Sequence, residues 1–136
     1  YICDNQIIMS ELKKYSLEFP IRSSVMILYK RLSSPEGLAE WFADDVDVKD
    51  KMYTFYWDGS EQSAKLQKKE MNEFIRYKWI DDDSSEGYFE FLIQIDEITQ
   101  DVALIVTDFA EDEDEKEEQT NLWTNQIDQL KRAIGS

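Results

Sequence analysis

Residues 116–136 constrain this chain more than any others. Trp123, Ile127, Leu130 and Ile134 stand at i, i+4, i+7 and i+11, a single stripe on a helix. An acidic run over 111–118 leads into the stripe, Lys131 and Arg132 lie in the last turn, and Gly135 follows as a C-cap. Both ends therefore complement the helix dipole. No other segment has so long a helical period, and most of the chain between Tyr15 and Phe109 reads as strand. A lone long helix after a run of strands has to bury its stripe against the sheet those strands form.

Period-two alternation predicts that sheet. Tyr15, Leu17, Phe19 and Ile21 alternate with Ser16, Glu18, Pro20 and Arg22, and Pro20, which cannot donate to a ladder, favours an edge or a strand end. Ser23 and Ser24 are N-cap candidates for a short helix whose apolar face is Val25, Leu28, Tyr29 and Leu32. Ser34 and Pro35 restart the chain as cap and first helical residue, with Leu38, Trp41 and Phe42 on the face of a second short helix. Strands are expected at 45–48 and at 52–57, the latter with Tyr53, Phe55 and Trp57 on one face. Asp58-Gly59 is a hairpin signal. A polar strand at 62–70 suits a solvated position, and Asn72-Glu73 turns the chain into 74–80. There Ile75, Tyr77 and Trp79 share one face and Arg76 and Lys78 the other. Residues 81–87 form a loop by composition. Residues 88–98 put Phe89, Phe91, Ile93 and Ile95 on one face, and Thr99-Gln100-Asp101 leads into a last strand at 102–109. The connections are short, so the sheet is an antiparallel meander.

The length of 136 residues suits one domain, expected at 13–136, with 1–12 as an N-terminal extension in which Met9 is a candidate start. A hydrophobic share of 42%, with 4 Trp, 7 Tyr and 7 Phe, argues against disorder. The net charge of −15 argues against nucleic acid and anionic lipid surfaces as partners, since both are polyanions. Cys3 is the sole cysteine, so no intrachain disulfide can form. There is no apolar run of membrane-spanning length and no basic region followed by an apolar core near residue 1, and the expected location is cytoplasmic. The absence of histidine removes Ser-His-Asp and Cys-His catalysis and histidine zinc ligands.

The order of strand, two short helices, about six strands and long helix resembles the α+β helix-grip fold of START-like (SRPBCC) and Bet v-like proteins. The branch it most resembles is that of the activators of the ninety-kilodalton heat-shock chaperone's ATPase. The likeness is carried by the opening strand at 15–21, by Ser34-Pro35-Glu36-Gly37-Leu38-Ala39-Glu40-Trp41-Phe42, by Tyr77-Lys78-Trp79 and by the late helix from Trp123 to Leu130. Two features depart from the pattern. Lys49-Asp50-Lys51 replaces the usual glycine before the third strand, and the acidic insertion before the last helix is heavier. The resemblance implies a curved antiparallel sheet of six or seven strands gripping the C-terminal helix, with a cavity between them. In many members of such a family that cavity carries a lipid, a sterol or an aromatic polyketide, and some members activate chaperones.

On that fold, Trp41, Phe42, Phe55, Trp57, Tyr77, Trp79, Phe89, Phe91 and Trp123 point inward. The expected ligand-binding set is Trp41, Phe55, Trp57, Tyr77, Trp79, Phe91, Trp123 and Ile127. Taken singly, each ring is better explained as ordinary core. Tyr77 and the indole N–H groups are the polar handles expected to face a ligand. Arg76 and Lys78 sit on the opposite face, so the expected ligand is neutral or weakly polar rather than a phosphate or dicarboxylate. Asp81, Asp82 and Asp83 lack the spacing of a calcium loop and read as a solvated turn. Glu90, Asp96 and Asp108 lie in strands with nothing to set their separation, and no catalytic residue, metal or cofactor is assigned. The expected function is a non-enzymatic domain binding a small hydrophobic ligand: a lipid, a sterol-like molecule or a flat aromatic. The alternative is a protein-interaction module of the chaperone-activator type, with a protein partner. A cyclase or hydrolase acting on an aromatic ligand is a third reading.

Overall fold

The structure, a computed structural model, describes residues 12–80 and 87–135. The N-terminal extension with Cys3 and Met9, and the Asp81–Asp83 turn, lie outside the described residues. The chain runs β1 (Lys13–Ile21), α1 (Val25–Ser33), α2 (Pro35–Leu38), β2 (Asp45–Lys49), β3 (Met52–Trp57), β4 (Ser60–Glu70), β5 (Phe74–Trp79), β6 (Phe89–Ile95), β7 (Val102–Ala110) and α3 (Glu113–Ile134). All seven strands form one sheet in the order β1-β7-β6-β5-β4-β3-β2, with every neighbour antiparallel. Strands β2 to β7 are the expected meander. β1 pairs with β7 and is an edge strand, which accommodates Pro20.

Three boundaries differ from the periodicity reading. α3 begins at Glu113, inside the acidic run, because the Asp112 side chain accepts the Glu115 amide at 2.8 Å and caps the helix there. The run thus spans the junction of loop and helix, with Glu111 and Asp112 ahead of the helix and 113–118 in its first turns. β6 stops at Ile95, because the Asp96 carboxylate accepts the amides of Ile98 and Thr99 and folds the chain into a turn. Ile95, expected on the inner face, is 44% exposed, and Ile98, expected as the last residue of the strand, is 93% exposed. The second short helix is only four residues long, and Trp41 and Phe42 are buried in the turn that follows it. At the departure Lys49-Asp50-Lys51, Asp50 adopts φ 58, a left-handed conformation in which a glycine would be unstrained.

The inner face of the sheet carries Tyr53, Phe55, Ile75, Tyr77, Phe89, Phe91, Leu104 and Val106, all buried. Trp123, Ile127 and Leu130 of α3 are buried with them in one cluster, and Ile134 packs at its margin. α1 contributes Leu28 and Leu32 to the same cluster, so the helical insertion shares the space under α3. On the outer face the register sets Lys65 opposite Lys78 and Lys68 opposite Arg76. Several of the chain's 15 cations are therefore gathered on the side away from the helices.

Candidate functional site

Between α3 and the ends of β3, β5 and β7 lies a pocket of about 310 Å³. Phe42, Trp57, Trp79 and Trp123 supply its aromatic wall, and Gln62, Asp108, Gln119, Leu122 and Gln126 complete the lining. Leu122, 63% exposed, stands on the lining next to solvent. Period two explains Trp57 and Trp79: each is the last inward residue of its strand, where the sheet's inner face reaches the protein surface. On α3, residues 119, 122, 123 and 126 form their own stripe at i, i+3, i+4 and i+7, beside the stripe that enters the core.

Phe42 connects the pocket to the core. Its ring centroid lies 5.8 Å from Trp57, 6.5 Å from Trp79 and 6.0 Å from Trp123, and 4.9 Å from Phe55 below. These spacings are those of packed aromatic pairs. The carbonyl of Phe42 accepts the Trp57 indole N–H at 2.9 Å and the Gln126 amide at 3.2 Å, which ties β3, the turn after α2, and α3 together at the pocket.

The expected ligand-binding residues separate into three groups. Trp57, Trp79 and Trp123 line this pocket. Phe55, Tyr77, Phe91 and Ile127 have no exposure and lie in the core. Trp41 lines a neighbouring depression with Glu40, Asp44 and Gln129, which shares Phe42, Trp57 and Gln126 with this pocket. The inner space is occupied because α1, Phe42 and Trp41 fill it with side chains.

Four of the expected polar handles, Tyr77 and the indoles of Trp41, Trp57 and Trp123, are engaged within the protein. The Tyr77 hydroxyl donates to the Leu32 carbonyl at 2.8 Å, Tyr53 to Ser33 at 2.9 Å, and the Trp41 indole to Arg31 at 2.8 Å. The Trp123 indole donates to Asp108 Oδ2 at 2.9 Å. Burial raises the Tyr77 hydroxyl well above the usual phenol value, with the neighbouring Tyr53 adding to it. Tyr15, whose hydroxyl donates to Gln119, is raised by burial first and by the Asp108 charge second.

The expected ligand-binding set lacks Phe42, expected only to point inward, and Gln62, Asp108, Gln119, Leu122 and Gln126, which the sequence does not mark for ligand binding. The second stripe on α3 was legible as a helical spacing. The strand position of Gln62, on a segment read as solvated, carried no such signal. Arg76 is on the outer face as expected, paired with Glu90 at 2.9 Å and lying 4.0 Å from the Tyr88 ring centroid. Among the described residues no group of three or more His, Cys, Asp or Glu is placed to hold a metal ion, and no helix is long and apolar enough to cross a membrane.

A comparison with curated protein sequences returns no match. Among solved structures, a solution structure from Bacteroides fragilis is 35% identical over 90% of each chain, with a TM-score of 0.65. The Aha1 dimer from Colwellia psychrerythraea shares 18% identity over 90% of this chain and 96% of that one, with a TM-score of 0.75. A protein from Cytophaga hutchinsonii shares 15% over 92% and 96%, with a TM-score of 0.71. The latter two are likenesses of fold. The family model described as the START-like superfamily domain matches residues 9–136. With that match spanning nearly all of the chain, and with the sheet and helix arranged as the family's fold requires, the protein belongs to the START-like superfamily.

Proposed function

We propose that this START-like domain binds a small hydrophobic ligand, of the lipid, sterol-like or flat aromatic kind, in the pocket beneath the first half of α3. The observation that supports this most directly is the wall of Phe42, Trp57, Trp79 and Trp123 around about 310 Å³ of space open to solvent. A pocket of this size takes a compact molecule or the terminal group of a larger one, since the space deeper under α3 is filled by core side chains. Native mass spectrometry of the purified protein should reveal a co-purified small molecule. A panel of sterols, fatty acids and flat aromatics should contain members that quench tryptophan fluorescence and raise the melting temperature saturably, by linkage. Replacing Trp79, a partly exposed wall residue, with leucine should weaken such binding while leaving the fold intact. A panel that shifts nothing, together with a protein free of bound small molecules, would overturn the reading.

The alternative is a protein-interaction module of the chaperone-activator type. Its support is the likeness of fold to the Colwellia psychrerythraea Aha1 structure, at 18% identity. A saturable rise in the chaperone's ATP turnover on adding this protein would favour that reading; the expected result is no rise.

A further inference from the structure

Building on the ligand-binding reading, we propose that the pocket selects an alkylated ammonium group, with Trp57, Trp79 and Trp123 supplying the rings and Asp108 the countercharge. The lining points to a cation in three ways. It contains three tryptophans and a phenylalanine, whose π-systems attract a cation, tryptophan most strongly. Its one charged residue is a carboxylate, and no lysine or arginine among the described residues lines it. The outer-face ladders, with Lys65 opposite Lys78 and Lys68 opposite Arg76, keep those cations on the far side of the sheet. A chain of net charge −15 adds a long-range field of the same sign as Asp108. A phosphate or carboxylate would be repelled by that charge.

The hydrogen bonding narrows the class further. Gln119 already accepts the Tyr15 hydroxyl, and Gln126 already donates to the Phe42 carbonyl. Asp108 is held by the Trp123 indole through Oδ2 and by the Phe109 amide, at 2.8 Å, through Oδ1. A primary ammonium is strongly hydrated and would need acceptors in place of water; the lining offers the side-chain oxygens of Gln62 and Gln126 and the spare lone pairs of Asp108, but most of it is apolar ring. An alkylated ammonium needs none: its charge is spread over methyl groups that fit an apolar wall, and it interacts by charge and π-attraction alone.

Benzyltrimethylammonium and its neutral carbon isostere, neopentylbenzene, separate charge from shape. Binding is read from the indole N–H signals of Trp57, Trp79 and Trp123 in heteronuclear NMR spectra, with Trp41, outside this lining, as the internal control. The cation should bind about tenfold more tightly than the isostere, as one desolvated cation–π contact with countercharge implies. Asp108→Asn keeps an acceptor for Trp123 and should reduce that preference roughly fivefold without weakening the isostere. If Asp108→Asn fails to fold, Gln126→Lys, which retains a donor for the Phe42 carbonyl and adds a positive charge at the lining, should suppress binding of the cation and spare the isostere. Equal affinities for the two probes, unchanged by either variant, would overturn the cation inference and leave the hydrophobic-ligand reading standing. If neither probe moves the three indole signals, this inference falls, and the ligand panel above decides the broader reading on its own.

Discussion

The Lys30 carbonyl accepts the last amide of the α1 ladder, that of Ser34, and the Ser34 hydroxyl as well. The carbonyls of Arg31, Leu32 and Ser33 beyond it have no helical partners; the Trp41 indole satisfies the first, the Tyr77 hydroxyl the second and the Tyr53 hydroxyl the third. The polar tips of these rings thus close a helix end that is buried against the sheet. Tyr77→Phe leaves the Leu32 carbonyl unsatisfied with no water to replace the donor. It should cost about 1–3 kcal/mol in urea denaturation, the penalty for an orphaned buried polar group. An unchanged midpoint would mean that the carbonyl finds another donor. The same hydrogen bond removes Tyr77 from the groups available to a ligand.

At the scale of elements, the helical insertion and α3 decide how much of the groove stays open. A Cβ at Gly37 would lie 2.4 Å from the Lys30 carbonyl and 2.7 Å from the Arg31 Cα, both backbone atoms. The residue is therefore what lets α2 fold directly back on α1 and bring Trp41 and Phe42 under α3. Gly37→Ala should destabilise by about 1–3 kcal/mol, as overpacking does, and should loosen the Phe42 contacts at the pocket as well. A variant as stable as the parent would show that the two helices can separate freely. α3 is held by its stripe, since its first two turns are capped and charged but bury no side chain fully. Trp123→Ala removes a buried ring and the Asp108 hydrogen bond together, and should cost about 3–5 kcal/mol by thermal or denaturant unfolding.

For the molecule as a whole, the buried and half-buried tyrosines set an upper limit on pH. Tyr77, Tyr53 and Tyr29 are raised above the usual phenol value, each by burial first. A raised folded-state value means that the folded protein holds a proton that the unfolded chain gives up near pH 10. Their contribution is complete below about pH 10 and is lost as pH rises through the folded values. Unfolding monitored by circular dichroism should therefore set in above about pH 10, together with the ionisation of these tyrosines seen in the ultraviolet difference spectrum. Tyrosines that ionise near 10 with the fold intact would contradict the burial described. At the acid end the sign reverses for Asp96, which is lowered by the amides of Thr99 and Ile98. Its contribution is present above the usual carboxylate value and is lost as pH falls through the lowered one.

Periodicity alone determined the architecture. The period-two segments from Tyr15 to Phe109 predicted the strands, and the Trp123–Ile127–Leu130 stripe predicted the helix that covers them, because each pattern has only one face that can leave water. The same alternation assigned Phe55, Tyr77 and Phe91 to the inside without saying whether they would border a cavity or fill it. That was decided by the tertiary fold, where α1 and Phe42 occupy the groove and leave space at the ends of β3, β5 and β7. Nor could spacing bring Gln62, Asp108 and Gln126 together, since they come from two strands and a helix far apart in the chain. It could not assign the ring tips either, because a tyrosine hydroxyl or indole N–H takes whichever acceptor the packing presents. Here the packing presents the unpaired carbonyls of a buried helix end.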